Sequence, residues 1–113
     1  MLEAQERPDR KVAADGLDKT VELFKALASP VRLFVVAHLA GGSQCVHELS
    51  DALRADGREV SQPLLSQHLK VLRDVGLVAT TRRGTEITYE LLDEHVAHIV
   101  NDAIRHSEEE ERR

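Results

Sequence analysis

The last segment of the chain concentrates nitrogen and oxygen donors: Asp93, His95, His98, His106 and Glu109 fall there among further carboxylates. Imidazole combined with carboxylate is ligand chemistry suited to zinc and, with extra donors, to nickel or cobalt. The same groups could serve a hydrolytic metal centre, but the sequence has no H-E-x-x-H, Gly-rich phosphate loop or nucleophile motif, so an enzyme is not expected. Sulfur is scarce. Cys45, two positions before His47, is the one cysteine, which excludes a disulfide framework and any zinc finger built on several thiolates. A second chemistry is cationic. Residues 54–83 carry six Lys/Arg against three Asp/Glu, a local excess of +3 inside a chain of net charge -5. That asymmetry directs attention to a local nucleic-acid surface which the whole-chain charge hides.

The elements that hold these groups belong to a chain of 113 residues whose 42% apolar and 31% charged composition suits one domain with a modest core. Phe24, Phe34 and Tyr89 are too few to build the aromatic platforms on which single-strand and RNA-binding modules stack bases. The N-terminus is charged where a signal peptide needs an apolar core, and no apolar run approaches a membrane span. A cytoplasmic protein with no membrane partner is expected. Residues 1–16 are polar and lack sustained periodicity, which suggests a flexible arm. Residues 17–107 hold the domain, and residues 108–113 read as a charged tail.

From Leu17 the apolar positions Val21, Phe24, Leu27 and Ala28 recur at helical steps to about Ser29. Ser29 caps a second helix, with Pro30 at its first position and Leu33, Val36, Ala37 and Ala40 following before Gly41 and Gly42. Ser43 is the expected cap of a third helix carrying Val46, Leu49 and Leu53. Ser61 caps a fourth, with Pro63 tolerated in the first turn, closing at Asp74 to Gly76. The period then changes: Leu77 to Thr81 and Glu86 to Leu91 flank R-R-G-T as a β-hairpin with a basic tip. Asp93 could cap a final helix from Glu94 to about Ser107. Helix, helix, helix, helix, hairpin, helix is a mainly α fold with a β-hairpin wing, the winged helix-turn-helix, whose fourth helix here would enter the major groove of DNA.

Helical geometry places Leu64, Leu65, Leu69, Val71, Leu72 and Val75 on one side of that fourth helix and Ser66, Gln67, Lys70 and Arg73 on the other. Gln and Ser read base edges, Lys70 reaches guanine or phosphate, and Gln62 sits where helix N–H groups favour phosphate. Arg82 and Arg83 at the hairpin tip could enter a minor groove or clamp the backbone. The bland alternative is an amphipathic helix with a solvated face. His68 falls on the apolar side, which fits a packed, hydrogen-bonded core histidine better than a base reader.

L-F-K-A-L-A-S-P-V-R-L (residues 23–33), C-V-H-E-L (45–49), S-Q-P-L-L-S-Q-H-L-K-V-L-R-D-V-G-L-V (61–78) and the hairpin through Y-E-L resemble the ArsR/SmtB family of metal-responsive winged-helix repressors. The resemblance covers about residues 18–109. One departure is R-A-D-G-R-E, residues 54–59, longer than the family's usual tight turn. Asp93-x-His95-x10-His106-x2-Glu109 resembles the zinc pattern of the family's fifth-helix sensors, which implies those four residues as metal ligands. Eleven residues along a helix rise about 16 Å, too far for His95 and His106 to share one zinc whose ligands lie about 2 Å away. Two antiparallel copies satisfy the spacing, the early pair of one chain meeting the late pair of the other. The pattern thus implies a homodimer with two zinc ions, and Val96, Ile99, Val100 and Ala103 form an adjacent stripe to pack the helix pair.

The expectation is a repressor whose apo homodimer binds double-stranded operator DNA and releases it when zinc binds. The resemblance also implies that His106 transmits the signal through its non-ligand ring nitrogen. Several readings stay open: Asp93 as a helix cap alone, Glu109 as part of a solvated acidic run, and His98 as an outer-sphere group, an extra ligand for nickel or cobalt, or an exposed residue. Cys45 and His47 occupy the region where other family members place a cysteine-rich site, yet no further thiolate exists. Cys45 is therefore expected to be a small buried residue, with an auxiliary metal or redox role as the alternative. A winged helix used for protein contacts alone is the remaining reading from another class.

Overall fold

Serine caps, proline starts and glycine stops set most of the helix boundaries in the computed structural model, which describes residues 14–112. The order is α1 (Ala14–Leu27), α2 (Pro30–Leu39), β1 (Gln44–Cys45), α3 (Val46–Ala55), α4 (Gln62–Asp74), β2 (Val78–Arg83), β3 (Glu86–Leu91) and α5 (Glu94–Glu111). At the start of α2, Ser29 Oγ accepts the Arg32 N–H at 3.2 Å, and at α4 Ser61 Oγ accepts the Leu64 N–H at 3.3 Å. Both bonds satisfy donors that a helix start leaves without intrahelical partners. The ends of α3 and α4 share one device. Gly57 and Gly76 take φ of +86° and +80°, and the next N–H reaches back, Arg58 to the Leu53 carbonyl at 2.8 Å and Leu77 to the Leu72 carbonyl at 2.9 Å. A side chain at either glycine would be strained there, and the reversal sends Leu77 into the core.

The core is one apolar cluster in which Leu49, Leu53, Leu65, Leu69 and Leu72 are fully buried together with Val35, Val36, Val78 and Val100. Thus α3 and α4 pack through leucines onto α2 while α5 closes the other side. The hairpin is antiparallel with Val78 opposite Leu91 and Arg83 opposite Glu86, leaving Gly84 and Thr85 as its turn. Its β3 strand is central, because β1 pairs on the other edge with Gln44 opposite Tyr89.

Several boundaries differ from the sequence expectation. Residues 1–13 of the expected arm lie outside the described residues, but residues 14–16 are already helical; a lone Gly16 costs about 1 kcal/mol and does not stop a helix. The third helix starts at Val46 rather than after Ser43, because Gln44 and Cys45 extend as β1 and the Glu48 carboxylate accepts the Cys45 N–H at 2.8 Å. A two-residue strand has no periodicity to detect. Finally, α5 continues through Glu111, into the expected tail of 108–113. Glutamate is a good helix former, and no glycine or proline follows Ser107 to stop propagation.

Candidate functional site

The inner face of α4 is built by Leu65, Leu69 and Leu72, and its outer face carries Ser66, Gln67, Lys70 and Arg73, all exposed. Leu64, assigned to the apolar side by the sequence, is 45% exposed. It sits in the first turn, before the helix is fully covered by its neighbours. Val71 and Val75 are half-buried. Lys70 Nζ bonds Asp74 Oδ2 at 2.8 Å, one turn on. Such an exposed pair contributes little stability, and it leaves Lys70 able to exchange Asp74 for a phosphate.

Gln62 and Ser66 of α4 share a concavity of about 280 Å³ with Cys45 and His47 at the start of α3 and Thr85, Glu86 and Ile87 of the hairpin tip. The N-terminal half of α4 and the wing therefore border one groove. Arg82 and Arg83 are the last residues of β2, opposite Ile87 and Glu86, and both are exposed. As consecutive strand residues they project to opposite faces of the ribbon, so one arginine serves each face. Cys45, with its side chain between α3 and the wing, is buried to 6% exposure, whereas His47 is exposed.

The residues of α5 are arranged differently. Asp93 is the N-cap, and its Oδ1 accepts both the His95 N–H at 2.8 Å and the ring Nδ1–H at 2.9 Å. The backbone bond first and the ring bond second hold the Asp93 carboxyl below its ordinary value of 3.8. With the ring proton on Nδ1, His95 presents Nε2 outward from a side chain that is 93% exposed. His98, His106 and Glu109 are also exposed. Among the described residues, no three His, Cys, Asp or Glu side chains of one chain come together in a metal-binding group. The structure thus joins Asp93 to His95 and leaves His106 and Glu109 apart from them, as the rise of a straight helix requires.

The apolar stripe expected to pair two final helices is divided. Val96 and Val100 are buried in the chain's own core, while Ile99 is 47% exposed and Ala103 is exposed. The division follows from angle: positions 96 and 100 lie one turn apart on the inward side, and 99 and 103 sit beside them, rotated outward. Phe24 and Val21 of α1, whose spacing marked a helix, are likewise half exposed, at 52% and 51%. Phe24, Ile99 and Ala103 line one apolar groove with Leu27, Leu33 and Val100, so α1 and α5 present a common apolar face.

One contact has no counterpart in any motif. His68, on the inner flank of α4, meets Arg32 of α2, Nη1 to Nδ1 at 2.8 Å, and the same guanidinium donates through Nε to the Ala26 carbonyl. Burial first, and the neighbouring Arg32 second, hold the imidazole below its ordinary 6.5. Helical spacing places His68 on the inward side but carries no sign of a partner 36 positions away.

A family model described as "Bacterial regulatory protein, arsR family" matches residues 29–80, from the α2 cap into β2. The HTH-type transcriptional repressor SmtB of Mycobacterium tuberculosis is 50% identical over 94 residues, covering 83% of this chain and 66% of that protein. The chain thus spans just under two thirds of the length of that relative. The HTH-type transcriptional regulator NmtR of the same organism is 36% identical over 107 residues, covering 95% of this chain and 85% of that protein. The solution structure of the homodimeric winged helix-turn-helix DNA-binding domain Mb0332 from Mycobacterium bovis superposes with a TM-score of 0.71 at 28% identity, over 96% of this chain and 93% of that one. Among the described residues no helix is long and apolar enough to cross a membrane. The fold is the winged helix-turn-helix expected from the sequence, and the chain belongs to the ArsR family of bacterial regulatory proteins.

Proposed function

We propose that the protein is a cytoplasmic homodimeric transcriptional repressor that binds double-stranded operator DNA and is released from it by zinc. The observation that carries DNA binding is the groove shared by the N-terminal half of α4 and the wing tip, with Ser66, Gln67, Lys70 and Arg73 exposed beside it. In this reading Gln62, Ser66 and Gln67 approach base edges and the helix-end phosphate, while Lys70, Arg73, Arg82 and Arg83 hold the backbone. Repression is supported by similarity to a protein named as a transcriptional repressor. Dimerisation through α1 and α5 is supported by the exposed Leu17, Val21, Phe24 and Ile99. It is supported further by the homodimeric neighbour.

The donor set fits zinc chemically: two imidazoles and two carboxylates, all exposed, with the Asp93 bond fixing the tautomer that leaves His95 Nε2 as the ligating atom. Asp93 and His95 of one copy would hold the ion with His106 and Glu109 of a second, giving two ions per dimer; bound zinc supplies a crosslink between copies. The sign of regulation needs conformational coupling. A dication added to an acidic dimer reduces its repulsion from DNA, so release requires that zinc favour a dimer geometry in which the two α4 helices no longer fit the duplex. Moving such an equilibrium from mostly bound to mostly free takes roughly 5 kcal/mol per dimer, about half from each site.

Anisotropy titration of duplex DNA with and without zinc at fixed ionic strength tests this. Zinc should weaken binding; unchanged or tighter binding refutes release by zinc. Cobalt spectroscopy of the dimer checks the donor set. A tetrahedral spectrum without a thiolate band is expected, six-coordination would point to nickel or cobalt with His98, and a strong sulfur band would move the site to Cys45.

A further inference from the structure

We propose that Arg32 is a positioning residue of the reading helix, fastening the end of α1 to the inner flank of α4 through one guanidinium; the proposal rests on the reading of α4 as the DNA-contacting helix. Arg32 lies in the first turn of α2, half-buried, with its own N–H held by Ser29. Its Nε donates to the carbonyl of Ala26, a buried residue in the last turn of α1, where carbonyls lack intrahelical partners. Its Nη1 meets His68 Nδ1 at 2.8 Å. Arginine has donors alone, so Nδ1 must accept and the ring proton must sit on Nε2. One planar fork thereby joins a helix of the apolar α1/α5 face to the helix that carries Ser66, Gln67 and Lys70. Lysine, with a single ammonium on a flexible stem, lacks that fork.

The bridge is also conditional on charge. Among the described residues no carboxylate lies within ion-pair distance of Arg32, and of the elements packed on α4, which are α1, α2, α3 and β2, it is Arg32 on α2 whose charge acts on His68. A protonated His68 has no acceptor at Nδ1 and places a second cation against the guanidinium. Acid therefore opens the bridge. Because the folded chain resists protonation at His68, below the ordinary value of 6.5 the unfolded chain binds more protons, and stability falls as the pH drops toward the lowered folded value.

The test uses the full chain as it assembles, with R32K, R32Q and H68Q variants, and a duplex that the wild type itself selects from a random-sequence library. Nitrogen-edited NMR should find wild-type His68 with its proton on Nε2 and an acid-shifted titration. In R32Q the titration should move back toward the ordinary value. R32K and R32Q should speed amide exchange in both the last turn of α1 and α4, and weaken duplex binding by about tenfold at about pH 8. H68Q keeps an acceptor for Arg32 and should bind within about twofold of wild type, while losing the extra weakening that wild type shows near pH 5.5. Full rescue by R32K, an unchanged His68 titration in R32Q, or unchanged exchange in α1 and α4 overturns the proposal. A wild type that selects no duplex overturns the reading of α4 and the positioning role with it, an outcome separate from variants that bind normally.

Discussion

The fourth helix and the final helix use similar amphipathic patterns toward opposite ends. In α4 the apolar side is consumed within the chain, where Leu65, Leu69 and Leu72 have no solvent exposure, and the polar side borders a groove completed by the same chain's wing. In α5 the apolar side is shared, with Val96 and Val100 turned inward and Ile99 left outward, and its donors are strung along an 18-residue helix and its cap, with no group of three ligands among the described residues. A surface that one chain completes is available for binding as soon as the chain folds. In the proposed reading, a donor set that one chain leaves divided would act only through association, which would make metal response and assembly one equilibrium.

Five substitutions test that contrast. The largest effect is expected from His106→Ala, which should remove the zinc response, up to roughly 5 kcal/mol of coupling per dimer, while apo DNA binding stays near wild type; loss of apo binding by anisotropy would make His106 structural instead. Next, Leu69→Ala should cost about 2–5 kcal/mol of unfolding free energy by denaturant titration, because the fully packed interior of α4 cannot collapse around the void. A cost under about 1 kcal/mol would deny that α4 is completed within the chain. Smaller still, Arg73→Ala and Arg82→Ala should each lower the slope of log affinity against log salt by about 1 with little change in melting temperature, and an unchanged slope would remove that arginine from the phosphate contacts. The smallest change is Asp93→Asn. Because the Asp93 carboxyl is held below 3.8 by the His95 backbone bond and then its ring, the carboxylate contributes stability above that value, lost as pH falls through the folded one. Asparagine should flatten this acid limb in pH-dependent melts while leaving the neutral melting temperature close to wild type.

Much of this was legible because its signals are local. Ser29 with Pro30, Ser61 with Pro63, and the change of period after Gly76 mark boundaries through hydrogen bonds and dihedrals made within a few residues. The polar face of α4 followed from angle alone. What escaped was set by distant partners. The β1 strand exists because Thr88 and Tyr89 offer an edge to Gln44 and Cys45. The exposure of Phe24 and Leu64 depends on where neighbouring helices stop, which spacing cannot report. The Arg32 bridge joins residues whose separate patterns are those of an ordinary helix start and an ordinary inward histidine.

The short strand β1 has a mechanical consequence. Because β3 is held on both edges, and the Leu92 N–H closes the hairpin base on the Leu77 carbonyl at 3.0 Å, the wing is welded to the start of α3 instead of hanging from α4 by a tether. Changes of length at Gly84 and Thr85 therefore fall beyond the paired strands, whereas an added residue between Gly42 and Cys45 falls at the joint that holds β1 on β3. The tip can therefore vary in length while the clamp on β3 that fixes the base of the wing stays in place.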